Sequence, residues 1–171
     1  MSRLSSKVRE RLDKIIARGL LVLIGDANGM DKAVQRYFAS KNYDQVVVYC
    51  ISGACRNNLG GWQRREVGGD WRGRRDASYY ARKDRAMGAE ADYGLMLWDG
   101  KSRGTLANVE DLLRRKKPVV TYLAPEKAFV SLRGLTELNL LLNRPLVAVE
   151  DPLLRIPRPS KPRPSPESVL F

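Results

Sequence analysis

The sequence predicts an α/β fold in which a mostly parallel sheet lies between helical layers, three layers in all. Two observations carry this reading. Residues 20–24 and 91–98 are apolar runs that each end in a loop of small and polar residues, and each loop opens an amphipathic helix. Residues 45–51 and 117–123 add two more apolar runs, the pattern of strands buried on both faces of a parallel sheet.

In chain order, Leu4, Val8, Leu12, Ile15 and Ile16 form the apolar face of a first helix. Strand 20–24 follows, then Gly25, Asp26, Ala27, Asn28 and Gly29, then a helix with Met30, Ala33, Val34, Tyr37 and Phe38 at i, i+3, i+4, i+7, i+8 spacing. After strand 45–51, residues 60–85 hold eight basic and four acidic side chains interleaved with Trp62, Trp71, Tyr79 and Tyr80. This segment reads either as a solvated loop whose tryptophans pack on the domain or as a stacking and phosphate-holding lid. Strand 91–98 feeds a helix with Leu106, Val109, Leu112 and Leu113 inward, followed by strand 117–123. Leu135, Leu138, Leu141 and Leu142 mark a helix over 134–143 whose leucine excess suits either core packing or a homo-oligomer interface. Residues 1–150 therefore read as one domain. Residues 151–171, basic and proline-rich from Arg155 to Pro166, read as a disordered or extended tail.

Composition narrows the chemistry. The chain has 171 residues, enough for one full α/β core, and a formal charge of +12 from 31 basic and 19 acidic side chains. Such an excess favours polyanionic partners, nucleotides or nucleic acid. With no histidine, Ser-His-Asp triads, Cys-His dyads and H-E-x-x-H zinc sites are excluded. Cys50 and Cys55 lack a C-x-x-C spacing and read as reduced thiols in or near the core. No apolar run approaches a membrane span and the N-terminus has no signal-peptide pattern, so the expected location is the cytoplasm, with no membrane partner.

Both loops suit an anion, because the first N–H groups of a helix have no intrahelical partner and the helix dipole is positive there. Gly25 and Gly29 do not complete G-x-G-x-x-G, and the P-loop glycine that Lys101-Ser102 would require falls on Leu95, inside a strand. Neither common nucleotide fingerprint applies.

Taken together, Gly25-Asp26-Ala27-Asn28-Gly29-Met30-Asp31, the helix with Lys83 to Met87 before Ala91-Asp92, and Ser102-Arg103-Gly104-Thr105 resemble the SLOG superfamily of Rossmann-like proteins over about residues 20–123. That superfamily includes DNA-processing protein A, the Lonely Guy phosphoribohydrolases and nucleoside deoxyribosyltransferases. The resemblance implies a Rossmann-like fold with a nucleotide held at the two loops. It departs at two places: Asn108 stands where the hydrolases carry a glutamate that helps cleave the base–ribose bond, and Lys101 and Ser102 replace two glycines. An amide neither ionises nor accepts a proton near neutral pH.

The expected function is therefore binding of a nucleotide or nucleotide-derived ligand, as a sensor lacking the hydrolytic glutamate. Gly25, Asp26, Ala27, Asn28, Gly29, Arg82, Asp99, Gly100, Ser102, Gly104 and Thr105 are the expected ligand-binding residues, with Lys83 or Arg85 as alternatives to Arg82 in the anion site. No metal and no cofactor other than the nucleotide is expected. Asp99 is the candidate catalytic residue or, equally, a helix-capping turn residue; Asp31 is read as favouring the first turn of its helix through the dipole. Two alternatives stand beside this reading: an N-glycosidase or phosphoribohydrolase using Asp99, Asp26 or Asp84, and a nucleic-acid-binding protein.

Overall fold

A computed structural model describes residues 3–51, 53, 55–68, 77–143 and 168–171. It is a three-layer α/β fold. The elements are α1 (Ser6–Ala17), β1 (Leu21–Gly25), α2 (Met30–Ser40), β2 (Val46–Ile51), β3 (Gln63–Val67), α3 (Ala77–Glu90), β4 (Tyr93–Trp98), α4 (Arg103–Arg114), β5 (Val119–Leu123), β6 (Ala128–Leu132), α5 (Leu135–Leu142) and β7 (Ser168–Leu170). The strands form one sheet in the order β3-β2-β1-β7-β4-β5-β6, parallel except for the antiparallel β5–β6 pair. This is the Rossmann-like strand order with β7 inserted between β1 and β4.

Period-two alternation divides the core. Val22, Ile24, Val46, Val48 and Val169 face α1 and α2, packing on Val8, Leu12, Val34 and Phe38. Leu23, Val47, Tyr49 and Leu170 face the other way, onto Met87, Val109, Leu112 and Leu138 of α3, α4 and α5. Every residue of β2 is buried. Such strands carry apolar side chains on both faces, which is why their sequences run apolar without a break.

Three strands were not expected. Gln63–Val67, inside the segment read as a loop, is the edge strand β3 and pairs Val47↔Gln63 through Ile51↔Val67. Its charged side chains suit an edge, where water solvates them and opposes edge-to-edge association. Ala128–Leu132 returns antiparallel after a turn with Lys127 at φ 51°. Residues 151–167 of the expected tail lie outside the described residues, but Ser168–Leu170 is a strand at the centre of the sheet. Its register pairs Leu21↔Ser168 and Leu23↔Leu170 on one side and Gly94↔Leu170 on the other. The Asp92 carboxylate accepts the Ser168 N–H at 2.9 Å, and the Asp92 N–H donates back to the Ser168 carbonyl at 3.1 Å, which fixes the register.

In α5 the leucines divide. Leu138 is buried, whereas Leu140 and Leu142 are exposed. No helix among the described residues is long and apolar enough to cross a membrane.

Candidate functional site

The carboxyl ends of β1, β7 and β4 open into a cleft of about 300 Å³ at the point where the strand order reverses. Open α/β sheets place ligands there because the loops leaving neighbouring strands diverge to opposite faces. Ala27, Asp31, Arg56, Tyr80, Lys83 and Asp84 line one part of it. Gly104, Thr105 and Asn108 of α4, with Leu95, Leu97 and Phe171, line the rest.

Spacing explains how the helices supply these groups. Tyr80, Lys83, Asp84 and Met87 lie at i, i+3, i+4 and i+7 on α3; Gly104, Thr105 and Asn108 lie at i, i+1 and i+4 on α4. Each set shares one helical face. Across the cleft the faces meet: Asn108 Nδ2 donates to Asp84 Oδ2 at 3.4 Å.

Beneath the cleft is an ionic cluster built around a buried lysine. Lys83 Nζ, its side chain 5 % exposed, stands 3.1 Å from Asp84 Oδ1 and 3.7 Å from Asp26 Oδ1. Gly25 permits this approach, since a Cβ there would lie 2.7 Å from Lys83 Nζ and closer still to the Asp31 carboxylate. Asp26 is almost fully buried. Arg56 grips it three times: its backbone N–H donates to Oδ2 at 3.1 Å, Nε to Oδ2 at 3.3 Å and Nη2 to Oδ1 at 2.9 Å. Burial works to raise the Asp26 pKa, but the Arg56 hydrogen bonds and the Lys83 charge prevail and hold the carboxyl below its ordinary range. Asp31 goes the other way. Burial raises its pKa, Asp84 and Asp26 add to the effect, and Lys83 and the Ala27 N–H only partly oppose it. That N–H donates to Asp31 Oδ2 at 3.0 Å.

A neutral network ties the first loop to the segment after β2. Gln35 Nε2 donates to the Gly25 carbonyl at 2.8 Å and to the Asn57 carbonyl at 3.3 Å, and its Oε1 accepts from the Leu59 N–H at 3.1 Å. Asn57 Nδ2 donates to the Asp26 carbonyl at 2.7 Å and to Asn28 Oδ1 at 3.0 Å. Gln35 and Asn57 are both buried, and these bonds satisfy them. The Arg56 guanidinium lies 5.0 Å from the centre of the Tyr80 ring, a cation–π contact at the cleft wall.

The expected ligand-binding residues divide accordingly. Ala27, Gly104 and Thr105 line the cleft. Gly29, at φ 93°, starts α2 in a conformation that suits only glycine. Asp26 lies below the cleft in the ionic cluster, and exposed Asn28 is engaged by Asn57. Among the cations it is Lys83 that turns inward; the Arg82 guanidinium lies beside Gly68 at the end of β3. Gly100 and exposed Asp99 belong to the turn after β4, where Asp99 Oδ1 accepts from the Lys101 N–H at 2.9 Å and the Ser102 N–H at 2.7 Å. These bonds lower the Asp99 pKa and commit the carboxylate to the turn. Ser102 is the N-cap of α4, its Oγ accepting from the Thr105 N–H at 3.3 Å. The Leu106 N–H goes to the Ser102 carbonyl, so the Arg103 and Gly104 N–H groups are the first-turn donors not used by these two bonds. Trp62 packs against the core and donates Nε1–H to the Tyr43 carbonyl at 2.8 Å; Trp71 lies outside the described residues.

Cys50 and Cys55 correct the expectation of reduced thiols: they form a disulfide, and their Sγ atoms and the Asp26 carboxylate lie within 4.8 Å of one another. Sequence reasoning also missed Arg56, Gln35, Asn57 and Phe171. Nothing local marked these four; the i, i+3, i+4, i+7 set on α3 was a usable signal only for Tyr80, Lys83 and Asp84. No family model, curated protein or solved structure matches the chain.

Proposed function

We propose that the cleft binds a nucleotide or nucleotide-derived molecule and that the chain is a SLOG-like ligand-binding protein. The observation that carries the reading is the convergence at one switch-point cleft of the first turn of α4, the cations Arg56 and Lys83 and two aromatic rings. In this reading the Arg103 and Gly104 amides receive a phosphate, with Arg56 and Lys83 supplying charge. Asp31 and Asp84 accept from ribose hydroxyls. Tyr80 and Phe171 offer apolar faces to a base. The test is thermal unfolding with a panel of nucleoside mono- and diphosphates and ADP-ribose. A ligand at a hundredfold excess over its Kd contributes about 2.7 kcal/mol, a shift of roughly 5 °C or more for a domain of this size. A panel that gives no shift at millimolar concentration overturns the reading.

A second reading, N-glycosidic hydrolysis, is favoured by one contact. Asp84 places a carboxylate beside Asn108, so a base or nucleophile stands in the cleft although residue 108 is an amide. Release of free base from a nucleoside monophosphate, lost in Asp84→Asn, would establish it. Tight oligonucleotide binding that weakens steeply with salt would instead favour a nucleic-acid partner.

A further inference from the structure

Cys55 and Arg56 are adjacent in the chain, and their two side chains serve different structures. Cys55 is joined to Cys50, a fully buried residue of β2, by the disulfide. Arg56 holds Asp26 through its backbone N–H and its guanidinium and reaches the cleft wall against Tyr80. The next residue, Asn57, bonds the Asp26 carbonyl and Asn28. A single covalent bond at residue 55 thus anchors the segment that positions a cleft-lining cation and clamps the first glycine loop. Without it, the backbone entering Arg56 regains the freedom that the six-residue ring from Cys50 to Cys55 removes.

We propose that Cys50–Cys55 is a reversible thiol–disulfide site, acted on by a dithiol reductant, whose oxidation state sets the position of Arg56 at the wall of the cleft. Cys50 is fully buried and Cys55 half-buried, so the sulfur open to attack is that of Cys55. A thiolate of the reductant attacks Cys55 Sγ; the S–S bond breaks and its electron pair leaves on Cys50 Sγ, which takes up a proton. The second thiol of the reductant then displaces Cys55 as a thiol. The reductant departs as its own disulfide, two electrons have passed to the protein, and two protein thiols remain. In the oxidised state Arg56 is clamped on Asp26 and the cleft is formed; in the reduced state that clamp opens. The coupling requires no particular ligand in the cleft.

Amide hydrogen exchange measured by NMR on the full chain tests this, once in the oxidised state and once after reduction with dithiothreitol. The Arg56 N–H, which bonds Asp26 Oδ2, exchanges at least about tenfold faster after reduction, while the amides of Val22, Leu23 and Ile24 keep their protection. A Cys50→Ser/Cys55→Ser variant reproduces the reduced pattern; where that variant does not fold, chemical reduction of the wild type decides. Unchanged exchange at Arg56 overturns the proposal. So does a rise across the whole of β1, which would make the bond a staple for the sheet, and so do two free thiols after equilibration with oxidised glutathione. ADP thermal shifts in the two states give a separate arm. A shift in neither state counts against the nucleotide reading, and the exchange data still decide the redox proposal.

Discussion

Arg56 and Asp26, thirty positions apart, are joined through both the backbone N–H and the guanidinium of the arginine, at 3.1, 3.3 and 2.9 Å. The carboxylate is nearly inaccessible while the arginine side chain remains 37 % exposed, so the bonds serve mainly to satisfy a buried anion. Removing such a partner leaves a charge in low dielectric, which is more damaging than the pair is stabilising. Arg56→Ala is therefore expected to destabilise the fold by about 2–3 kcal/mol, less than for a fully buried pair because of that exposure. Urea unfolding with an unchanged m-value measures it.

Asp26 and Asp31 give pH dependences of opposite sign. Asp26 has a depressed folded pKa, so its contribution is present above the unfolded value of 3.8 and is lost as pH falls below it. Asp31 has a raised folded pKa, so its contribution is fully present below 3.8 and is lost as pH rises through the folded value. Asp31→Asn, which keeps an oxygen for the Ala27 N–H, is expected to raise Tm by a few degrees at pH 7 and to make little difference at pH 3.5. A variant less stable than wild type at pH 7 would show that the ionised carboxylate stabilises the cluster.

Gly25 and Gly104 are expected to respond differently to alanine. At Gly25 the new methyl meets Lys83 Nζ and the Asp31 carboxylate, and displacing them costs about 1–3 kcal/mol. At Gly104 the methyl meets nothing, and a helical glycine-to-alanine change contributes up to about 1 kcal/mol of stability. Gly104→Asp keeps the fold but places a carboxylate at the helix turn where phosphate is proposed to sit. The ADP thermal shift should vanish in Gly104→Asp; if it persists, the phosphate lies elsewhere.

Wild-type protein is expected not to release base from nucleoside monophosphates at an enzyme-like rate, because residue 108 is an amide and the Asp84 carboxylate is engaged by Lys83 and Asn108. Asn108→Glu places a second carboxylate beside Asp84. Base release assayed by chromatography for wild type, Asn108→Glu and Asp84→Asn separates the binding and hydrolytic readings.

Leu170, 1 % exposed at the centre of the sheet, is expected to cost about 2–5 kcal/mol on substitution by alanine. Deleting 168–171 removes a paired central strand, so the expected outcome is loss of the cooperative unfolding transition seen by circular dichroism.

The parts legible in the sequence were those whose signal is local. β1, β2, β4 and β5 announce themselves as apolar runs, and α2 and α4 as 3.6-residue stripes, because burial on both faces of a sheet or on one face of a helix imposes those periods. β3 was hidden since an edge strand needs no apolar face, and its Arg64, Arg65 and Glu66 read as loop. β7 spans three residues, too few for a period to register. The cleft was half legible. Gly104 and Thr105 follow from the strand–loop–helix junction, whereas the Asp26–Arg56–Lys83 cluster joins residues from three distant segments and has no local signature. Asp99 and Ser102 were drawn to the site by their position, but their side chains close the turn and cap α4.

The insertion of β7 between β1 and β4 also dictates an order of events in time. Pairing Leu21 with Ser168 closes a loop of 147 residues (168 − 21), the kind of long-range contact that is slow to form because loop closure precedes any gain from burial. Synthesis runs from the N-terminal side, so the β1–β2 half and the β4–β5 half can each assemble while the segment that joins them has yet to emerge. The two walls of the cleft are thus brought together by a strand that emerges after the other described strands, and until then a nascent chain has no complete cleft with which to capture a ligand.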